Sequence, residues 1–257
     1  MRPNRTKELL RRGEVALGTG FGQLRSPEIP KLLSAAGFDW TFIDCEHGCF
    51  DVETIQDLVR TSLLTPLTPV VRVADLQYSL VARALDMGAE GIIFPRVEEP
   101  ERLAQAVSWA RFPPDGVRGF GLGAPQVGYQ NHSFEQIIRH LNEHVLVVLQ
   151  VETFTALERV DELLSVKGVD AVMVGPADLS ISLGVPGKFD DPKMVEAITR
   201  IVESCRRHGV YPGMQTRTMA LARFWKQRGM QFLGCGNELG FLWDKARETA
   251  QQFRAEG

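Results

Sequence analysis

Short apolar runs rich in β-branched residues alternate along the whole chain with longer stretches of helical periodicity. The run VLVVLQV has no polar alternation until its end, as expected of a parallel strand that is buried on both faces. Because eight parallel strands close a barrel, the alternation predicts an α/β fold of the (β/α)8 or TIM barrel type. The runs predicted as strands are Val15–Phe21, Trp40–Asp44, Pro69–Val73, Gly91–Pro95, Val145–Val151, Ala171–Val174, Val210–Gly213 and Gln231–Cys235.

The stretches between these runs contain helix signals. Asp191 followed by Pro192 predicts an N-cap and a first helical residue, and Gly209 predicts the end of that helix. The longest irregular stretch, Arg111–Ser133, is long enough to indicate a functional loop or an interface. A second helix is predicted after Asp51 by an apolar stripe made of Ile55, Leu58, Val59 and Leu63.

The chain length fits one such barrel. Its 257 residues match the roughly 250 that a (β/α)8 barrel needs, and no linker or composition shift divides them. We therefore predict a single (β/α)8 barrel domain over residues 1–257. An open doubly wound sheet has the same alternation, but Gly18, Gly20 and Gly22 lack the GxGxxG spacing of that fold.

Composition limits the partners and the compartment. A net charge of −3 and a pI of 6.0 argue against nucleic acid or an anionic membrane as the main partner, because both favour a basic surface. No apolar run approaches the roughly 20 residues of a membrane span, and the basic start lacks the apolar core of a secretory signal. Four scattered cysteines are too few for a disulfide scaffold, so we expect reduced thiols in a cytoplasmic protein.

Polar residues collect at the ends of the predicted strands. In a barrel those C-terminal ends form the one face that carries the chemistry, so these residues are expected to meet in a single cleft. The polar positions are Asp44, Glu46 and His47 after strand two, Arg72 in strand three, Arg96 after strand four, Gln150 and Glu152 at strand five, Gly175 and Asp178 after strand six, and Gly236, Asn237 and Glu238 after strand eight.

Glu152 and Asp178 are candidate metal ligands, since each follows a buried apolar strand. Two carboxylates in one cleft repel each other unless a proton or a cation lies between them. A hard divalent cation with oxygen ligands meets that need and leaves positions open for substrate. Alternatively, each residue caps the helix that follows it.

Arg72 lies inside an apolar strand, where a lone charge is costly. It is either part of a structural ion pair with Glu46 or Glu152, or a clamp for a carboxylate or enolate oxygen. His47 is a candidate general base that Asp44 would orient through its other ring nitrogen, although a histidine with a purely structural role fits as well.

Two other chemistries are disfavoured. Cys45, His47 and Cys49 offer three zinc ligands close together, but a structural zinc site needs a fourth ligand. A Schiff-base aldolase needs a desolvated lysine, and only Lys188, in the loop after strand six, is a candidate for that role.

At these residues the chain closely resembles the HpcH/HpaI family of metal-dependent pyruvate aldolases. The matching segments occur in the family order and span nearly the whole chain: GFDWTFIDCEHG, TPVVRV, ARALDMGAEGIIFPRVEEPE, VLQVET and VDAVMVGPADLSISLG. The resemblance implies a (β/α)8 barrel that forms a homo-oligomer, a trimer or a hexamer, with the last helix often exchanged between subunits.

The resemblance also implies roles for individual residues. Glu152 and Asp178 would bind Mg2+, Mn2+ or Co2+, and Arg72 would stabilise the enolate. His47 would be the base, and Asp86, from the same or a neighbouring subunit, would raise its basicity. The keto acid would be bound by Arg72, Gln150, Gly175, Pro176, Ala177 and Asp178.

The resulting prediction is a carbon–carbon lyase that joins or cleaves pyruvate, as its metal-bound enolate, and an aldehyde. The loop Gly119–Tyr129 and the residues Gly236, Asn237 and Glu238 depart from the aldolase pattern, and both segments are expected to border the acceptor site. The alternative is a citrate-synthase-like or decarboxylating enzyme that uses oxaloacetate, with acetyl-CoA as partner, in siderophore or secondary metabolism. A non-catalytic barrel with a structural polar rim is the third hypothesis.

Overall fold

In the described residues, 1–121 and 124–255, the computed structural model forms a closed parallel barrel of eight strands. The strands are β1 Ala16–Phe21, β2 Trp40–Asp44, β3 Thr68–Arg72, β4 Gly91–Phe94, β5 Leu146–Val151, β6 Ala171–Val174, β7 Gly213–Thr216 and β8 Phe232–Asn237. They follow one another around the barrel in chain order, and β8 pairs with β1. The predicted (β/α)8 barrel is therefore confirmed.

Helices cover the outside of the barrel. They are α1 Arg5–Arg11, α2 Glu28–Ala35, α3 Val52–Ser62, α4 Tyr78–Met87, α5 Pro100–Trp109, α6 Phe134–His144, α7 Phe154–Glu158, α8 Val160–Leu164, α9 Pro176–Ser182, α10 Pro192–His208, α11 Met219–Lys226 and α12 Glu238–Ala255. A short 3-10 helix, Ala124–Val127, lies in the long connection between α5 and α6. Each strand is thus followed by at least one helix, which a parallel barrel requires.

Alternate side chains of the strands fill the barrel interior, so the barrel is a packed core. Trp40 and Phe232 stack there with their ring centroids 4.0 Å apart. A Cβ atom at Gly18 would overlap the Trp40 ring, which explains a glycine inside β1. Leu9 and Leu10 of α1 belong to the same interior cluster, so α1 closes the N-terminal end of the barrel.

The helices pack on the strands through apolar stripes, and Asp191 and Gly209 bound α10 as the sequence predicts. The Asp191 side chain accepts a hydrogen bond from the backbone N–H of Lys193 at 3.0 Å, and Gly209 ends α10 with a φ of +67°. Asp51 caps α3 by accepting from the N–H of Thr54 at 2.8 Å. Both predicted helices are confirmed.

Strand seven lies three residues later than the sequence predicts. The prediction was Val210–Gly213, whereas β7 starts at Gly213. Pro212 has no N–H to donate to a neighbouring strand, and Tyr211 makes only an isolated bridge with Ala171. The prediction was wrong because it relied on the apolar residues at the start of this segment, whereas the end of β7 is polar. The correction changes which residues reach the C-terminal face of the barrel.

The last helix, α12, leaves much of its apolar surface exposed. Of its side chains, Trp243 is 63% exposed and Phe253 is 82% exposed, and Leu239 and Leu242 are also accessible. An apolar surface of this kind on one helix is typical of an interaction site. Across the described ranges, the helices are too short or too polar to span a bilayer.

Candidate active site

Arg72, the last residue of β3, is held by two carboxylates from the end of β2 and the turn after it. Its Nε and Nη2 donate to the two oxygens of Asp44 at 3.0 and 2.6 Å, a bidentate pairing that suits a planar guanidinium. Its Nη1 lies 2.9 Å from Glu46 Oε2. This second contact is an ion pair only, because no donor in the described residues reaches Glu46 Oε2 at a hydrogen-bonding angle.

Burial and charge act on Arg72 in opposite directions. The residue is 8% exposed, and burial by itself would lower the pKa of its guanidinium. The hydrogen bond and charge of Asp44, together with the charges of Glu46 and Glu152, outweigh burial and raise that pKa, so Arg72 stays cationic. A fixed cation of this kind can stabilise a developing oxyanion without reorganising.

Glu152 follows β5 directly and is 2% exposed. Arg96 donates its backbone N–H to Glu152 Oε1 at 2.9 Å, and Gln150 donates its side-chain amide to Oε2. Arg96 has a φ of +55°, a left-handed conformation that costs a non-glycine residue on the order of 1 kcal/mol. On the other side, a Cβ atom at Gly175 would lie 2.8 Å from Glu152 Oε2. The carboxylate of Glu152 is therefore tightly positioned.

The environment of the Glu152 carboxylate is negative. Burial raises its pKa most, and the charges of Glu46 and Asp178 raise it further, against the hydrogen bonds from Gln150 and Arg96. The described residues contain no cluster of three or more His, Cys, Asp or Glu suited to a metal. Two carboxylates are nevertheless enough for a cation such as Mg2+, which keeps waters or substrate oxygens as its other ligands. The oxygen donors of Glu152 and Asp178 therefore fit a hard divalent cation.

A cavity of about 210 Å³ opens at the C-terminal ends of the strands. Asp178 lies in the first turn of α9, directly after β6. Glu152 lies behind the wall, in contact with Gln150. The structure thus brings seven residues of the predicted site to one cavity: His47, Arg72, Gln150, Gly175, Pro176, Ala177 and Asp178.

His47 stands at this cavity with 66% of its side chain exposed. Its Nε2 lies 3.8 Å from Glu46 Oε1. Asp44 Oδ1 accepts from the backbone N–H groups of Glu46 and His47 at 3.0 and 3.2 Å. Asp44 therefore fixes the backbone of this turn and does not orient the imidazole, contrary to the prediction, because both of its carboxylate oxygens face Arg72.

Asp86 lies away from His47 within one chain. It is the residue before the end of α4, and barrel helices run antiparallel to the strands, so Asp86 lies toward the N-terminal face. Its carboxylate accepts from Arg118 Nη2 at 2.8 Å. Asp86 therefore cannot raise the basicity of His47 in the same chain, and such a pair would need an Asp86 from a second subunit.

The described part of the loop Gly119–Tyr129 is also on the N-terminal side. Leu122 and Gly123 lie outside the described residues. Val127 and Gly128 line a separate cavity of about 390 Å³, next to Glu90 at the start of β4. Within one chain, the described part of this loop does not border the acceptor site, contrary to our expectation.

Glu238, which follows β8, binds the backbone of the β1–α2 connection. Its Oε1 accepts from the N–H groups of residues 22–24 at 2.6 to 3.1 Å. Asn237 Oδ1 accepts from the N–H of Gly240 at 2.7 Å. The expectation was that this segment borders the acceptor site, but neither Asn237 nor Glu238 lines the 210 Å³ cavity within one chain.

The zinc and lysine alternatives gain no support from the geometry. Cys45 packs against the core, and burial raises the pKa of its thiol to about 12, which disfavours the thiolate that zinc requires. Cys49 is exposed, with its Sγ 3.7 Å from the carbonyl oxygen of Gln23. In the part of the chain that the structure describes, no lysine lines the 210 Å³ cavity.

Sequence reasoning missed one side of the cavity. Gln215 in β7 and Arg217, two residues further on, line it together with Phe189 and Leu221. The misplaced strand seven concealed them, since Gln215 appeared to follow the strand and not to belong to it. The polar pair Gln215 and Thr216 before α11 was the available signal, because polar residues mark the other strand ends as well.

Known proteins resemble this chain over nearly its full length. A sequence profile of the family described as HpcH/HpaI aldolase/citrate lyase matches residues 20–243. A hydroxypyruvate/pyruvate aldolase of Pseudomonas aeruginosa is 32% identical over 251 residues, which cover 98% of this chain and 93% of that protein. The crystal structure of an HpcH/HpaI aldolase from Desulfitobacterium hafniense DCB-2 matches with a TM-score of 0.92 and 30% identity, covering 96% of both chains.

A second function is represented among the similar structures. The crystal structure of citrate synthase SbnG matches with a TM-score of 0.87 and 27% identity, covering 98% of both chains. The relative that shares 32% identity is named an aldolase, which confirms the predicted enzyme class, a carbon–carbon lyase. The profile match and the extent of these similarities show that the chain belongs to the HpcH/HpaI aldolase/citrate lyase family.

Proposed function

We propose that the protein is a divalent-metal-dependent aldolase that cleaves or forms a C–C bond between pyruvate and an aldehyde. One observation carries this proposal: Arg72, Gln150 and Asp178 line one small cavity, and Glu152 lies directly behind it. Its volume of about 210 Å³ suits two molecules of a few carbons each. The aldolase relatives named above support the same reaction class.

Glu152 and Asp178 would hold the metal ion, which we propose to be Mg2+, Mn2+ or Co2+. The chemistry that it supplies when bound is Lewis-acid polarisation of the keto oxygen of pyruvate, which acidifies the methyl group. Gln150 would donate to or accept from the keto acid at the cavity wall, beside the Gly175–Asp178 turn. The close approach of Gly175 to Glu152 keeps this turn near the carboxylate.

In the cleavage direction, the substrate hydroxyl loses its proton to His47 and the C–C bond breaks, releasing the aldehyde. The electron pair of that bond moves into the enolate of pyruvate, which then takes a proton at carbon. Arg72 holds a fixed positive charge where the enolate oxygen develops, supported by Asp44. His47 is exposed enough to exchange protons with solvent between turnovers.

A citrate-synthase-like reaction on oxaloacetate and acetyl-CoA is the second candidate, favoured by the similarity to citrate synthase SbnG. The residues that stabilise an enolate are separate from those that contact the acceptor, so a pocket can change acceptor while keeping the first half-reaction. The small cavity favours the aldolase, because most of a CoA molecule would lie outside it.

Side-by-side assays test this choice. We expect purified enzyme with Mg2+ or Mn2+ to catalyse aldol addition of pyruvate to glycolaldehyde, and chelator to stop the reaction. A second assay contains oxaloacetate and acetyl-CoA. Citrate and free CoA in the second assay, with no aldol product in the first, would contradict the aldolase proposal.

We also propose that the protein is a homo-oligomer, a trimer or a hexamer, assembled through α12. The exposed Trp243 and Phe253 support this, together with Leu239 and Leu242, because an exposed apolar surface along one helix is typical of an interaction site. Trp243→Asp combined with Phe253→Asp is expected to reduce the sedimenting mass of the protein. Arg247→Glu, an exposed polar position on the same helix, is the control. A monomeric wild-type protein in sedimentation velocity would rule the proposal out.

A cytoplasmic location is the last part of this proposal. Cys45, Cys49, Cys205 and Cys235 are all free thiols, which supports a reducing compartment.

A further inference from the structure

Arg217 contributes an unpaired positive charge to the active-site cavity. It follows β7 and lines the same cavity as Arg72 and Asp178. The side chain is exposed, and within residues 1–121 and 124–255 it forms no ion pair and no side-chain hydrogen bond. Arg72, by comparison, already forms ion pairs with Asp44 and Glu46. Among the described residues that line this cavity, Arg217 is therefore an arginine still available to pair with an anion of the substrate.

The position of Arg217 is fixed by the strand before it. Gln215 donates from Nε2 to the carbonyl oxygen of Gly236 at 2.7 Å, and Thr216 donates from Oγ1 to the carbonyl oxygen of Gly234 at 3.0 Å. These bonds tie the end of β7 to β8. Gln215 itself lines the cavity, so these bonds also fix this part of its wall.

The surface beside Arg217 is apolar. Phe189 and Leu221 line the cavity on this side, and Leu221 belongs to α11, whose N-cap is Thr218. Phe189, Thr218 and Leu221 also line an adjoining groove that continues to Phe224. A carbon chain that starts near Arg72 and ends near Arg217 would therefore contact apolar side chains in its middle and a cation at its end.

We propose that Arg217 is a specificity-determining residue that binds an anionic group, a carboxylate or a phosphate, at the far end of the acceptor aldehyde. This inference rests on the proposed aldolase function. Arg217 acts on the acceptor alone and takes no part in forming the enolate of pyruvate, because Arg72 and the carboxylates occupy that end of the cavity. A guanidinium suits both anions, since its planar fork can donate two hydrogen bonds to either.

Matched acceptors test the inference. Succinic semialdehyde is compared with butanal, and glyceraldehyde 3-phosphate with glyceraldehyde, in the presence of pyruvate and Mn2+. Arg217→Gln is expected to raise the KM for the preferred anionic aldehyde about tenfold, because a charge-assisted hydrogen bond is lost. The KM for the matched neutral aldehyde should stay unchanged. Arg217→Lys should restore part of the preference. The anionic aldehyde whose KM rises in Arg217→Gln shows whether Arg217 binds a carboxylate or a phosphate.

Two further measurements distinguish a failure of the Arg217 inference from a failure of the proposed aldolase function. Arg223→Gln removes the same charge from an exposed position on α11 outside the cavity, and it should leave all four KM values unchanged. Exchange of the pyruvate methyl hydrogens with deuterium reports enolate formation without any acceptor, and Arg217→Gln should exchange like wild type. Normal exchange with no change in acceptor preference would overturn the inference alone. Absence of exchange in the wild-type enzyme would contradict the proposed function, and the inference with it.

Discussion

Replacing Glu152 by glutamine, or Asp178 by asparagine, is expected to abolish Mn2+ binding and to lower aldol activity by roughly 10³-fold or more. Lewis-acid stabilisation is worth several kcal/mol, and each 1.36 kcal/mol corresponds to about a tenfold change in rate. Neither change should unfold the barrel. Burial and the charges of Glu46 and Asp178 already raise the pKa of Glu152, so a neutral side chain at that position relieves repulsion.

Titration calorimetry measures the Mn2+ affinity and steady-state assays measure the aldol activity, and together they test this prediction. Glu53→Gln is a matched control, since it removes an exposed carboxylate from α3. Its metal affinity and activity should equal those of the wild-type protein. If either site variant bound Mn2+ with wild-type affinity, the carboxylate that it replaces would have only a structural role and would not be a metal ligand.

Arg72→Lys is expected to slow deuterium exchange into pyruvate by about 10²–10³-fold, the usual effect of removing a preorganised oxyanion donor. Lysine keeps the positive charge but cannot repeat the two bonds to Asp44 at 3.0 and 2.6 Å. Arg72→Met should in addition lower stability by about 3–5 kcal/mol, because Asp44 and Glu46 would face each other without a cation. For a chain of this size, that corresponds to a fall in Tm of roughly 6–20 °C.

A double variant distinguishes the catalytic role of Arg72 from its structural role. Arg72→Met combined with Asp44→Asn removes one of the two carboxylates that Arg72→Met leaves without a cation. The double variant should recover part of the lost Tm, while deuterium exchange into pyruvate stays slow. If Arg72→Lys, or the double variant, exchanges deuterium at the wild-type rate, Arg72 serves only as an ion-pair partner. Thermal unfolding followed by circular dichroism and proton NMR of pyruvate provide the two readouts.

Much of the fold could be predicted from the sequence because local signals agree with the barrel. The apolar run of β5, the Asp191 cap and Gly209 each act over a few residues, and each was interpreted correctly. Strand seven was misplaced because its polar end, Gln215 and Thr216, serves the cavity and not the core. Sequence periodicity detects burial, so it fails where a strand is used for binding.

The candidate site was predicted as a set of residues but not as a network. The end-of-strand rule placed Arg72 and Asp178 at one cavity. It could not show that Asp44 pairs with Arg72, since the partners of a carboxylate depend on side-chain geometry. Nor could it separate Asp86 from His47, because the face on which a helix residue lies depends on the direction of the helix through the fold.

The bond from Glu238 to residues 22–24 has a consequence for folding during synthesis. These partners are 214 to 216 positions apart, among the longest separations in the chain. The β1–β8 seam and this bond can therefore form only after all eight strands and Glu238 have left the ribosome. Until then the nascent barrel is an open sheet with two unpaired edges, the arrangement most prone to aggregation. Contacts of high sequence separation also fold slowly, so we expect closure of this seam to be a late event.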